Sequence, residues 1–177
     1  MELKDSKTFQ NLVSTFVGEA QARAKYTFFA SVAKKEGFEQ ISGIFTETAE
    51  NEKEHGKRAY VLAGLLGDTA QNLQTAIDGE HEEHSVLYKE FARVAHEEGF
   101  EEIAIFFTEV GEVEEQHELR FQKLLERVKD GTVFTRPETV KWHCRNCGYV
   151  HEGTEPPESC PACKHPKAYY EILSENY

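Results

Sequence analysis

Residues Tyr26–Arg58 and Tyr88–Arg120 align at a constant offset of 62, with 17 of 33 positions identical and no gap. Shared stretches include Glu36-Gly37-Phe38-Glu39 with Glu98-Gly99-Phe100-Glu101, and Phe45-Thr46-Glu47 with Phe107-Thr108-Glu109. A chain that repeats itself over this length is built from two copies of one unit, each with an apolar face to bury. No proline occurs in residues 1–136, so long uninterrupted helices are permitted. Gly37 and Gly99 fall at the same place in each copy and mark tight helix–helix turns. The expectation is a pair of helical hairpins making an all-α four-helix bundle, with helices near 5–35, 38–66, 71–98 and 100–129.

Composition divides the chain in two. Residues 1–138 carry 27 acidic and 16 basic side chains, a balance of −11, whereas residues 139–177 carry 5 and 4, a balance of −1. All four cysteines, the only Trp and four of the five prolines lie in the second segment. The expected organisation is a helical domain over 1–135, a linker over 136–141 and a small cysteine-rich domain over 142–177. An acidic surface binds phosphate poorly, which argues against a nucleic-acid partner. The longest apolar stretch, Tyr60–Leu66, is too short to span a bilayer, and the charged N-terminal residues lack the apolar run of an export signal. A soluble, cytoplasmic protein engaging neither membrane nor nucleic acid is expected.

The second helix of each hairpin carries an apolar seam. It runs through Ile41, Phe45, Thr48, Glu52, His55, Ala59, Leu62 and Leu66 in the first copy. In the second it runs through Ile103, Phe107, Val110, Glu114, His117, Phe121, Leu124 and Val128. Steps of four and three alternate, as on the core stripe of a bundle helix. In the middle of both seams the apolar residues give way to Glu-x-x-His. A lone Glu-x-x-His on a charged helix is ordinarily a solvated pair. Two of them in register inside a core seam need a compensating partner, because a buried carboxylate or imidazole is costly without one. A metal ion is the simplest compensation for both.

The first helices complete the set. Leu12, Phe16, Glu19, Tyr26 and Ala30 share one stripe, as do Leu73, Ile77, Glu80, Leu87 and Phe91, so Glu19 and Glu80 are expected to point inward. One Glu from each of two helices, with Glu-x-x-His from each of the other two, is the ligand set of ferritin-like dinuclear carboxylate proteins. Oxygen ligands mixed with imidazole suit iron or manganese better than zinc. Glu47, Glu50, Glu109 and Glu112 lie off the seam and read as a solvated face; His81, His84 and His96 lack a partner motif and read as surface or supporting residues. One irregularity breaks the repeat: Glu19 stands seven residues before Tyr26, but Glu80 stands eight before Tyr88. An extra residue in a matched helix is absorbed as a π-bulge, expected within 78–90. Three residues past each Glu stand Ala22 and Glu83, so one side alone has a seventh potential ligand.

The tail holds two Cys-x-x-Cys pairs, Cys144/Cys147 and Cys160/Cys163, separated by twelve residues. In a cytoplasmic chain such pairs wrap one tetrahedral metal ion, zinc or a single iron, rather than forming disulfides. Trp142, Tyr149, Tyr169 and Tyr170 are candidates for a small aromatic core around them.

Cys144-x-x-Cys147-Gly148-Tyr149 followed by Cys160-Pro161-x-Cys163 resembles rubredoxin, a one-iron electron carrier. Joined behind a duplicated Glu…Glu-x-x-His hairpin, nearly the whole chain resembles the rubrerythrin family: a ferritin-like four-helix bundle with a C-terminal rubredoxin-like domain of short β-strands. The resemblance implies a dinuclear non-haem iron centre, with Glu19, Glu52 and His55 on one iron and Glu80, Glu114 and His117 on the other. Glu52 and Glu114 would bridge. It implies that Glu83 is the family's extra glutamate, exchanging with His55 as ligand between oxidised and reduced states, and that Tyr26 and Tyr88 hydrogen-bond ligand carboxylates. It implies a second cofactor, a single iron held by Cys144, Cys147, Cys160 and Cys163. The implied activity is a peroxidase that reduces hydrogen peroxide to water in oxidative-stress defence. Electrons would pass through the rubredoxin-type iron from an external NADH-dependent reductase, since the chain has no glycine-rich dinucleotide fingerprint of its own. A ferroxidase or iron-handling protein is the alternative, but it would have no use for a built-in electron carrier.

A homodimer is expected from a length. In a ferritin-like bundle the chain must climb from near Leu66 back to near Gln71, about 30 Å at 1.5 Å per residue. Four linking residues reach about 14 Å. Either the start of the third helix is unwound, or the second hairpin packs on another chain's first hairpin; the exchanged dimer is the favoured expectation.

Overall fold

The structure, a computed structural model, describes residues 1–176, which divide into two compact units, Met1–Asp68 and a second beginning at Thr69. In the first, helix α1 (Lys7–Lys35) starts at Ser6, whose hydroxyl oxygen accepts the Phe9 N–H at 3.1 Å. It stops at Gly37, whose φ of +85° is a left-handed conformation that side chains resist. There the Gly37 N–H donates to Lys34 O at 3.1 Å and the Phe38 N–H to Ala33 O at 2.9 Å, the paired bonds of a Schellman cap. The chain then returns as α2 (Glu39–Leu62).

The tightest contact between the two helices runs along a stripe of small residues beside the seam. Ser42, Ala49, Gly56 and Ala63 recur every seventh residue and are all buried, and the Ser42 hydroxyl donates to Ala30 O at 2.9 Å. Small side chains let two backbones approach, so the tightest contact forms there. The larger seam residues stand beside that contact, where one neighbouring helix covers only part of them. Phe45 packs on Tyr26 and Phe29, with ring centroids 6.0 and 5.6 Å apart, but Ile41 and Leu62 stay 47% exposed. Helix α2 also ends four residues short of the expected 66, and the next helix begins at Thr69 rather than 71. The cause is Gly64, which takes φ +72° in a second Schellman cap, with the Leu65 N–H donating to Tyr60 O at 3.2 Å.

The second unit repeats the hairpin with one insertion. Helix α3 (Thr69–Glu82) passes through a π-helical turn at Glu83–Leu87 into α4 (Tyr88–Glu97), and α5 (Glu101–Lys129) folds back after Gly99. The π turn lies where the eight-residue spacing predicts it and absorbs the extra residue without breaking the helix. On α5 the seventh-residue stripe continues as Ala104, Gly111, Glu118 and Leu125, so a carboxylate occupies the position of Gly56.

Beyond α5, strands β1 (Val140–Cys144), β2 (Val150–Gly153) and β3 (Tyr170–Ile172) form an antiparallel sheet in the order β2-β1-β3. Trp142, Cys144, Cys160 and Tyr170 form its buried core, with Val140 packed against them. The Trp142 indole N–H donates to Gly153 O at 3.0 Å. Only two of the four expected aromatics are in this core. Tyr169 closes a 3-10 turn (Lys167–Tyr169) just before β3, is exposed, and lies against His165 at 4.4 Å between ring centroids; Tyr149 sits just before β2 and is also exposed. Among the described residues no helix is long and apolar enough to cross a membrane.

Candidate metal centres

Each hairpin gathers three of the expected ligands. In the first, the His55 Nδ1 lies 2.8 Å from Glu52 Oε2 on the same helix and 3.8 Å from Glu19 Oε1 on α1. In the second, the His117 Nδ1 lies 2.6 Å from Glu114 Oε2 and 3.6 Å from Glu80 Oε1 on α3. The i, i+3 spacing puts Glu and His one above the other on one helix face, and the hairpin brings the third carboxylate across. In each trio the donor atoms lie within 4.8 Å of one another. The repeat thus builds the same ligand trio twice.

The electrostatics of these trios favour a cation. Burial and then the hydrogen-bonded Glu52 carboxylate hold Glu19 above the usual carboxylate range. Burial and the Glu114 carboxylate do the same to Glu80. Two carboxylates forced together resist ionising together, and a dication reverses that penalty. Glu83 opens the π turn, and its charge adds to the upward shift of Glu80. The Tyr88 phenol is also pushed up, first by burial and then by Glu83, Glu114 and Glu80. It therefore stays protonated and able to donate a hydrogen bond to a carboxylate. Tyr26 and Tyr88 hold matching places, each against the equivalent Phe pair of its own hairpin: Phe29 and Phe45, Phe91 and Phe107.

The four thiols of the tail converge with the dimensions of a metal site. Cys144 Sγ lies 3.8 Å from Cys163 Sγ, and Cys147 Sγ lies 3.6 Å from Cys160 Sγ. Four sulfurs at about 2.3 Å around a tetrahedral ion stand about 3.8 Å apart, whereas a disulfide needs about 2.05 Å. Backbone N–H groups of Tyr149 and His165 point at Cys147 and Cys163. The His165 N–H holds Cys163 down to about 6. For Cys147 the Tyr149 N–H is outweighed by the neighbouring thiols and burial, which push it up to about 12. Four thiolates cannot coexist at this spacing without a cation to hold them. The two knuckles are built alike: the Gly148 N–H donates to Cys144 O and the Lys164 N–H to Cys160 O, each at 2.9 Å. Each of these turns needs a left-handed residue, met by Gly148 at φ +79° and by Lys164 at φ +63°.

Comparison with known proteins agrees with both centres. Residues 10–67 and 58–125 each match the Rubrerythrin family, and residues 142–171 match the rubrerythrin rubredoxin-like domain. The chain belongs to the rubrerythrin family. Rubrerythrin of Porphyromonas gingivalis is 52% identical over 188 residues, covering 99% of this chain and 94% of that one. Rubrerythrin of Nitratidesulfovibrio vulgaris is 48% identical, covering 99% and 98%. A solved structure of nigerythrin in a partially reduced state is 31% identical, covers 94% of this chain and 86% of that one, and has a TM-score of 0.37. The cofactors of this rubrerythrin-family chain are accordingly non-haem iron of the dinuclear carboxylate–histidine type and a single iron on four cysteine thiolates.

A further cluster joins residues distant in the sequence. His81 and His84, expected at the surface or in a supporting role, both meet Glu118 of α5, through His81 Nδ1 at 3.1 Å and His84 Nε2 at 2.6 Å from Glu118 Oε2. The available signal was the repeat itself, which pairs Glu118 with Gly56. By contrast His96 pairs only with Glu101 in the open, and Glu50 sits exposed between Arg23 and Lys53, as a solvated face should.

Proposed function

We propose that this chain is a peroxidase that reduces hydrogen peroxide to two waters, with electrons delivered through its own thiolate-held iron. The observation that carries the reading is the presence, in one chain, of two repeat-related carboxylate–histidine trios and a separate four-thiolate site. Reducing peroxide to two waters consumes two electrons and two protons, and a ferrous pair, when bound, supplies the electrons. The protein residues do the rest. Glu19, Glu52 and His55 would hold one metal position and Glu80, Glu114 and His117 the other, with Glu52 and Glu114 as the carboxylates that would bridge. His55 and Glu83 would serve as alternative ligands in the reduced and oxidised states. Tyr26 and Tyr88 fix the carboxylates by hydrogen bonds, and the raised Tyr88 phenol stays a donor throughout. Cys144, Cys147, Cys160 and Cys163 would hold the single iron that takes electrons from an external NADH-dependent reductase. In this reading residues 1–135 form the catalytic domain, 136–141 the linker and 142–177 the electron-relay domain, working in the cytoplasm.

The half-exposed seams support assembly as a homodimer. Ile41, Leu62, Ile103 and Leu124 remain close to half exposed in the single chain, at the same register on both hairpins. The length argument for exchange is weaker than the sequence suggested. From Leu62 to Thr69 the climb is about 27 Å, and seven chain steps reach about 24 Å. Exchange of hairpins between chains is tested by refolding together a chain lacking Glu52 and His55 and one lacking Glu114 and His117. An exchanged dimer regains one complete set per pair; no recovery of bound iron rejects it.

The function is tested on anaerobically purified, fully reduced protein. Peroxide is added in steps while the colour of the ferric thiolate centre is followed. The expected result is reoxidation of the dinuclear centre followed by return of the thiolate colour. Reduced protein that peroxide leaves unchanged rejects the reading, and reoxidation by dioxygen alone points to iron oxidation instead.

A further inference from the structure

We propose that His81, His84 and Glu118 form a third metal site, taking a borderline divalent cation of the zinc class, separate from the two iron centres. Two imidazole nitrogens and a carboxylate oxygen converge here within 4.8 Å. Both nitrogens, His81 Nδ1 and His84 Nε2, address the same oxygen, Glu118 Oε2, at 3.1 and 2.6 Å. Ligands at about 2.0–2.2 Å around a tetrahedral zinc stand about 3.4 Å apart, so small rotations of the two rings make room for the ion. Two histidines and one carboxylate, with one position left for water, is a recurring zinc set.

The surroundings are those of a built site. Glu118 and His84 side chains are only 12% and 16% exposed, while His81 at 61% stands at the solvent side. The other Glu118 oxygen, Oε1, accepts a hydrogen bond from Gln122 Nε2 at 2.7 Å, which orients the carboxylate as supporting groups do around metals. The His81 and His84 rings meet edge to face, with centroids 5.3 Å apart, and both present a nitrogen to the shared Glu118 oxygen.

The repeat provides an internal control. Upstream of the π turn the two hairpins align at an offset of 61, which places Ala20 opposite His81; His84, inside the turn, falls opposite Ala22 or Arg23; downstream, at 62, Gly56 stands opposite Glu118. The first hairpin therefore folds with none of the three ligands. All three appear together in the second, across two helices and 34 residues or more of sequence. Hairpin packing does not require them, since Gly56 fills the Glu118 place in the other copy and packs closely against Glu19. A cation held here ties α3 and the π turn to α5 beside Glu83 and His117, fixing the segment that supplies the extra carboxylate.

The test uses the full chain with both iron centres loaded. Zinc is added at micromolar concentration, excess is removed by gel filtration, and zinc and iron per chain are counted by mass spectrometry. His81→Ala and Glu118→Gln are carried in parallel, the first at an exposed position and the second nearly isosteric, with helix content checked by circular dichroism. The expected result is one additional zinc per chain in the parent and none in either variant, with iron unchanged in all three. Equal zinc uptake by parent and variants overturns the proposal, as does zinc that enters only in step with iron lost. Absence of zinc from all three also overturns it and leaves Glu118 as a hydrogen-bonded clamp.

Discussion

Gly56→Ala is the substitution that best separates packing from metal holding in the first hairpin. In an ordinary helix interior it should stabilise, because alanine is favoured over glycine by about 1 kcal/mol. Here a Cβ built on Gly56 comes 3.3 Å from the Cβ of Glu19 and 3.8 Å from the Phe16 ring. Carbon atoms prefer about 3.5–4.0 Å, so α1 must retreat from α2 by about 0.2–0.7 Å at that point. The Glu19 Cβ is fixed to its backbone and has no rotamer through which to escape. Overpacking of this kind costs about 1–3 kcal/mol, which offsets the helix gain and leaves a net loss of about 1 kcal/mol. The retreat also carries the Glu19 carboxylate away from Glu52 and His55, by at least the roughly 0.2 Å that metal–ligand distances tolerate. Gly43→Ala on the same helix is the control, since its Cβ meets nothing within 4 Å. Urea denaturation of the metal-free chains, followed by helical circular dichroism, should show Gly43→Ala more stable than the parent and Gly56→Ala less. Reconstituted Gly56→Ala should lose iron from the helical centre and keep its thiolate iron. A Gly56→Ala chain as stable as Gly43→Ala, with full iron, would refute the close-approach argument.

Three further outcomes are expected. Lys164→Gly should stabilise the cysteine-rich region by about 1 kcal/mol, because Lys164 holds a left-handed conformation at φ +63° that glycine adopts freely; slower removal of its metal by chelator is the measurement. Tyr170→Phe should make the potential of the thiolate iron more negative in a redox titration. The buried Tyr170 hydroxyl has no hydrogen-bond partner among the described residues and acts on Cys160 to hold that thiol down, so once iron draws the sulfurs into place it is free to donate to the Cys160 sulfur, and hydrogen bonds to sulfur favour the reduced state. Deleting Ser85 from the π turn should restore a regular helix and rotate Glu80 and Glu83 about 100° away from Tyr88, roughly halving the iron bound by the helical centre in metal counts while leaving the thiolate iron in place.

Much of the site was legible because metal ligation leaves short, periodic marks. Glu52 with His55 and Glu114 with His117 are three apart on one helix, so their meeting follows from helix geometry alone. The four cysteines sit in local knuckles, and their spacing implies their convergence. The π turn was legible for a different reason: counting residues between Glu80 and Tyr88 against the sister hairpin exposes an insertion without any coordinates. Glu118 was not legible in the same way. Its partners are 34 and 37 residues distant, and nothing on α5 alone distinguishes it from the solvated glutamates around it.

The packing surface between the helices also had to be seen in three dimensions. Hydrophobicity pointed to Ile41, Phe45 and Leu62, yet the closest contact runs along Ser42, Ala49, Gly56 and Ala63, because backbones approach where side chains are small. In the small sheet, Trp142 and Tyr170 stand on strands and are buried, whereas Tyr149 and Tyr169 fall just outside the strands and are exposed. By itself, the sequence determined the duplicated hairpin, the two ligand trios, the π insertion and the thiolate site, all consequences of short-range spacing and repetition. Only the tertiary structure decided which stripe each helix pair shares and which glutamate faces His81 and His84. Those depend on side-chain volume and on contacts between residues distant in the chain, which no local pattern records.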